Sequence, residues 1–257
     1  DPNSVGNARS MGSDPWSLAC VQTALSPSCN AGSALIAWSL TRTETKLVMR
    51  DQERPSSEAT FCQICIGLSQ MLDGGLAVFL ETDDPSGPHK ARVALRRLTT
   101  ALDAFMPILR RKQAARLRAK AKRIFRRLGE VRDSDVHLQS RGPRATSQAQ
   151  VRQNQSLRRR MREVLRKDHA VVFSQAVLQA VIEGGAIYRR STSALERRQS
   201  PVSHLAADVL GKAWEGCLAF GPSVRAIPGK RLHDFRKAMK TLRYLSEFFT
   251  DEFPGLQ

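Results

Sequence analysis

The chain has 257 residues, 41% of them hydrophobic, so it can bury a core and is not disordered as a whole. Its formal charge is +17, and the excess is concentrated: residues 89–168 hold 24 Lys and Arg against 6 Asp and Glu, whereas residues 1–88 hold 5 against 10. Five irregularly placed cysteines in a chain this long exclude a disulfide framework, and no apolar run of the roughly 18 residues needed to span a membrane is expected.

Taken in chain order, residues 1–56 read as a tail rich in Ser, Ala, Thr and Gly, without sustained periodicity and without an assigned function. Within it, Ala31–Leu40 is too short and too Ser-rich for a signal peptide and has no basic segment before it. From Ser57 the character changes. Phe61, Cys65, Leu68, Leu72, Leu76 and Leu80 recur at three- and four-residue spacing, which predicts an amphipathic helix. Cys62 and Cys65 fall in that run, where free Cys packs as a small hydrophobe, and no second pair has zinc-site spacing.

Asp83-Asp84-Pro85-Ser86-Gly87-Pro88 predicts a break, and a second helix is expected over His89–Phe105, closed by Pro107. A third is expected over Gln113–Leu128 with Gly129 as its terminator, followed by Arg132-Asp133-Ser134-Asp135 as caps for the next element. Asp133 and Asp135 are read as a cap plus an ion pair to a nearby Arg rather than as metal ligands. A Gly142-Pro143 loop then precedes helices over about 148–167 and 169–182, and Gly184-Gly185 interrupts. Ser200-Pro201 opens a helix reaching about Phe220, and a last helix covers Arg231–Phe249. No run alternates as a strand does, so the expected fold is all-α.

Two of these helices share one pattern. His89-Lys90-Ala91-Arg92-Val93-Ala94-Leu95-Arg96-Arg97-Leu98 aligns with His233-Asp234-Phe235-Arg236-Lys237-Ala238-Met239-Lys240-Thr241-Leu242, 144 residues later. At about 100° per residue, His89, Arg92 and Arg96 share a narrow sector, opposite Ala91, Ala94, Leu95, Leu98, Leu102 and Phe105. In the second copy His233, Arg236 and Lys240 share a face, flanked by Lys237 and Arg243, with Phe235, Ala238, Met239, Leu242 and Phe249 on the core side. The third helix adds Arg116, Lys120, Arg123 and Arg127 beside its apolar stripe of Leu117, Ala121, Ile124 and Leu128. Such rows suit a chain of phosphates, because Arg holds two phosphate oxygens at once and Lys acts as a compact point charge. His137, His169 and His204 stand alone and receive no role.

These residues resemble the CHAD family, the conserved-histidine α-helical domain. The matching elements are H-K-A-R-V-A-L-R-R-L at 89–98, L-G-E-V-R-D-S-D-V at 128–136 and L-H-D-F-R-K-A-M-K-T-L-R-Y-L-S-E-F-F at 232–249, in the family's order, over roughly residues 58–257. The resemblance implies two similar four-helix bundles in a pseudo-twofold arrangement around a basic pore, binding of inorganic polyphosphate and no catalysis. On that analogy His89, Arg92, Arg96 and Arg97 match the first motif, and His233, Arg236, Lys237, Lys240 and Arg243 the second. Relatives continue past the second motif with further helices, so the second bundle here is expected to be incomplete. A helical domain over 57–257 is the resulting division.

The function expected is that of a non-catalytic polyanion-binding module, with inorganic polyphosphate as partner. The alternative is a sequence-nonspecific nucleic-acid binder that reads phosphates only, and nucleic acid is expected to be the weaker polyanion. Few aromatics stand ready for base stacking: Phe105 and Phe125 fit apolar stripes. Nothing supplies the carboxylate cluster that would hold magnesium for phosphoryl transfer, so a polyphosphate-cleaving enzyme using His89 or His233 is disfavoured. No catalytic residue, metal, cofactor or membrane partner is expected, and the protein is read as soluble and intracellular.

Overall fold

A computed structural model of the chain describes residues 54–183 and 185–253. The expectations for Ala31–Leu40 and the rest of residues 1–53, and for Gly184, lie outside the described residues. Helix α1, Ser57–Glu81, begins where the periodicity does, with Ser56 Oγ accepting the Ala59 N–H at 3.2 Å. Its stripe of Phe61, Cys65, Leu68, Leu72, Leu76 and Phe79 is buried at the centre of the core. By length and composition α1 could cross a membrane, which the sequence reading did not anticipate. Helix α2, Ser86–Ala104, starts earlier than expected because the Asp84 carboxylate accepts the N–H and the hydroxyl of Ser86. Pro88 is tolerated there in the first turn. At the α1–α2 crossing a Cβ on Gly75 would lie 2.6 Å from the Ala91 backbone nitrogen, so a glycine is required for this approach.

Helix α3 departs most from expectation. It runs unbroken over Arg111–Ala145, 35 residues or about 52 Å. Gly129 does not end it, Arg132–Asp135 do not cap anything, and the chain turns at Thr146–Ser147 rather than at Gly142-Pro143. A mid-helix Gly costs only about 1 kcal/mol relative to Ala. The buried stripe of Ala114, Ala121, Ile124, Leu128 and Val131, which continues on both sides of Gly129, outweighs that cost.

Helix α4, Gln148–Lys167, opens on a capping box between Ser147 and Gln150. It is fastened to α3 by a buried network. Asp135 accepts from Arg158 Nη2 at 2.7 Å, from Arg158 Nε at 3.3 Å and from Asn154 Nδ2 at 2.9 Å. The ion pair expected for the Arg132–Asp135 segment thus exists at Asp135, without the cap. Arg162 ties the same helix to the end of α1, donating to the carbonyls of Phe79 and Thr82 and to the Asp83 carboxylate.

Beyond α4 come α5 (Phe173–Leu178), continued by a π-helical turn over Gln179–Glu183, and α6 (Thr192–Gln199), which the sequence reading missed. Helix α7, Val202–Leu218, has Pro201 as its cap position, one residue later than expected, because Ser200 closes α6 by donating to the Glu196 carbonyl. Helix α8, Gly229–Phe248, packs on α7 and reaches α2. Among the described residues there is no strand, only isolated bridges at Ser56–Pro201 and Leu109–Tyr188, and the fold is all-α.

Phe61, Phe105 and Phe249 form a continuous ring stack, with centroids 5.0 and 5.9 Å apart. Phe105 and Phe249 are themselves separated by the same 144 residues as the two motifs. Met239, placed by its periodicity on the core side, is instead 38% exposed, and Leu218 and Val224 are also open. Among the described residues no helix covers that side of α7 and α8.

Candidate functional site

The first motif projects from the middle of α2 toward α3. Arg92 and Arg96, both half-buried, lie over the same ring: their guanidinium carbons are 4.3 and 5.1 Å from the centroid of Phe125. Phe125 also packs against the core, so it is a fixed platform for two cations. A Cβ on Gly129 would stand 2.3 Å from Arg92 Nη1. Gly129 therefore clears the space that the Arg92 head occupies, which is the reason for glycine inside a helix.

The charges around Arg92 are crowded. Its pKa is lowered first by partial burial and then by Arg96 and Arg132, with Asp133 acting in the opposite sense. His89, one turn earlier, is also held below the usual imidazole range, chiefly by desolvation of its ring and further by Arg132 and Arg92. His89, Arg92, Arg96 and Arg132 are thus a single electropositive cluster.

Arg132 had no assigned role in the sequence reading, nor had Lys122 and Arg126. Lys122, Gly129 and Asp133 are spaced by seven and four residues and share the α3 flank that Arg92 touches, whereas Arg126 lines a concavity with Arg123, Arg127 and Glu130. The signal lay in Gly129. Once it is placed inside a helix rather than at its end, the residues four before and three after it fall beside the α2 arginines.

The predicted α3 row lies elsewhere. Arg123 and Arg127 are each two residues from Phe125, about 200° around the helix, so they point away from the α2 cluster. Arg116 and Lys120 continue that opposite row; Lys120 Nζ is 5.7 Å from the Phe173 centroid, and Arg127 pairs loosely with Glu130 at 3.9 Å.

The second motif is more open. His233, Arg236, Lys237, Lys240 and Arg243 on α8 are all exposed. Lys237 Nζ pairs with Asp234 at 3.0 Å, and that hydrogen bond is the main cause holding the Asp234 carboxyl below its usual range. The two motifs meet at one carboxylate. Glu247 accepts Arg97 Nη2 at 3.0 Å and Arg243 Nε at 3.2 Å. Arg97 also lies 5.7 and 5.5 Å from the rings of Tyr244 and Phe248, so it joins α2 to α8. Of the thirteen residues singled out, the structure brings together His89, Arg92 and Arg96 in one cluster, Arg97 with Arg243 at the junction, and Arg123 with Arg127 along a concavity of about 390 Å³ that Arg126 and Glu130 also line.

Among the described residues no group of His, Cys, Asp and Glu is arranged to hold a metal ion. What the arrangement offers is dense guanidinium donors, two of them positioned on the Phe125 ring between α2 and α3.

The family model for the CHAD domain matches residues 67–256. No curated protein matches the sequence. Among solved structures, the crystal structure of the CHAD domain from the plant Ricinus communis aligns with a TM-score of 0.56 and 21% identity, covering 77% of this chain and 66% of that one. The chain thus spans just under two thirds of that relative, with which it shares the fold. Since the family model takes in more than half of the sequence, including both copies of the H-x-x-R motif and the segment around Gly129, the chain belongs to the CHAD domain family.

Proposed function

We propose that the domain binds chains of phosphate without turning them over, and that inorganic polyphosphate is its preferred ligand. One observation carries the reading: Arg92 and Arg96 are stacked on a single ring, in space cleared by Gly129, with His89 and Arg132 alongside. Holding like charges this close costs free energy in the unbound protein, and a multivalent anion recovers it. Guanidinium groups already fixed by stacking lose little freedom when they grip phosphate oxygens.

The arrangement also favours polyphosphate over single-stranded nucleic acid. The aromatic ring in the cluster is covered by guanidinium groups, so it offers no open face for a base to stack on. The contact of Phe105 with Phe249, residues at equivalent places in the two repeats, supports a local twofold relation, since such an axis brings a position against its own counterpart. With the motifs joined through Glu247, both basic rows would then serve one ligand.

The test is competition for the protein between long polyphosphate, duplex DNA and single-stranded RNA at equal phosphate concentration and physiological salt. Polyphosphate is expected to win, and no orthophosphate should be released in the presence of magnesium or manganese. Preferential binding of DNA supports instead a phosphate-backbone nucleic-acid binder, and phosphate release that vanishes in His89→Ala overturns the non-catalytic reading.

A further inference from the structure

A second basic concavity lies outside both motifs. After α2 the segment Ile108–Arg110 runs antiparallel to Ile187–Arg189. Arg110 N donates to the Ile187 carbonyl at 2.7 Å, and Arg189 N donates to the Ile108 carbonyl at 2.9 Å. Ile108, Leu109, Ile187 and Tyr188 are buried, so this pairing is anchored in the core. Its effect is to set Arg189 beside Arg110, Arg111 and Lys112, and these four cations with Gln113 line a cavity of about 440 Å³.

The charges there are uncompensated. None of the four forms an ion pair with a described carboxylate, and the first turn of α3 contains no acidic residue. Elsewhere in this basic half, arginines of the core-facing surfaces do find acids: Arg118 pairs with Asp103, Arg158 with Asp135 and Arg162 with Asp83. Arg110 makes only a long bond, Nη1 to the Ala186 carbonyl at 3.4 Å, which fixes its head toward the Arg189 segment. Four exposed cations from two distant stretches of the chain thus border one concavity, with no described carboxylate paired to any of them.

We propose that this cavity is a separate site for a compact, multiply charged phosphate group, of the size of a triphosphate. It does not depend on the Arg92–Arg96 cluster. A concavity bordered by three guanidinium groups and one ammonium can offer several bidentate contacts to adjacent phosphate oxygens, whereas the cations spaced along α2 suit an extended chain.

The experiment is calorimetric titration of inorganic tripolyphosphate, and separately of long polyphosphate, into three proteins at physiological salt. These are the native chain, the double variant Arg111→Ala/Arg189→Ala, and the double variant Arg92→Ala/Arg96→Ala. Both substituted positions in the cavity are exposed and unpaired, so helicity and melting temperature serve as controls for intact folding. The cavity variant is expected to bind tripolyphosphate at least about tenfold more weakly, a loss of about 1.4 kcal/mol, while the α2 variant binds it nearly as the native protein does. Tripolyphosphate binding that survives unchanged in the cavity variant, or that disappears in the α2 variant, overturns the proposal. Long-polyphosphate binding lost in the α2 variant reports on that cluster, and tripolyphosphate binding lost in the cavity variant reports on the cavity, so the two readings fail distinguishably.

Discussion

A methyl group added at Gly129 would fall 2.3 Å from Arg92 Nη1, the far end of a flexible side chain that can swing aside. Gly129→Ala should therefore leave stability unchanged or raise it by up to about 1 kcal/mol, the usual gain for Ala over Gly inside a helix. Polyphosphate binding should nevertheless weaken several-fold, because the displaced guanidinium leaves the Phe125 ring. A melting curve and a binding titration on the same sample check both halves, and a drop in stability with unchanged binding would assign the glycine to packing alone. His89 gives a second test at this scale. Its pKa is lowered in the free protein by ring desolvation, Arg132 and Arg92. A bound polyanion reverses the charge part of that effect and raises the pKa, so binding takes up a proton. Affinity should then increase as pH falls from about 7.5 to about 5.5. The gain should be absent in His89→Gln, measured at constant ionic strength.

Between elements, α3 and α4 are held by Asp135, 5% exposed, and Arg158, 2% exposed, with Asn154 completing the network. Removing either partner leaves an unpaired charge in the core, and Arg158→Met or Asp135→Leu alone should cost about 3–5 kcal/mol in urea unfolding. The double variant should recover most of that loss, since two apolar groups need no partner. A double variant as unstable as the sum of the singles would mean that each residue acts through different contacts. This is also where the sequence was least legible. Helices α1, α2 and α8 were readable because their apolar stripes are long and regular. The Gly129 and Arg132–Asp135 segment carried local signals of an ending, but Gly was there for a neighbouring side chain and Asp for a buried partner 23 residues on. Both reasons are tertiary, and neither has a signature within one turn of the chain. The short α6, with Ala194 as its buried residue, had too little periodicity to detect.

At the level of the whole chain, the sequence located the basic excess but not its division among surfaces. Arg92 and Arg123 are equally basic in sequence, and only the rotation of α3 about Phe125 assigns them to opposite sides. A net charge of +17 strains the folded state in dilute buffer. Raising salt should therefore increase the melting temperature of the free protein while reducing its affinity for polyphosphate, two trends of opposite sign from the same charges. Parallel thermal scans and titrations across a salt series test this, and a melting temperature that falls with salt would show that ion pairs outweigh repulsion.

The latch made by Arg162 has a kinetic consequence. It joins α4 to the Phe79 and Thr82 carbonyls and to Asp83, about eighty residues back in the chain, whereas α1, α2 and α3 each pack on a neighbour in sequence. Closing so long a loop costs entropy before the contact rewards it, so this contact is expected to form late and to be weak in the transition state. Arg162→Ala should accordingly leave the refolding rate almost untouched and speed unfolding by about tenfold, as expected of a low-φ position. Without the latch, the protein would reach the same native state as fast as before but leave it sooner.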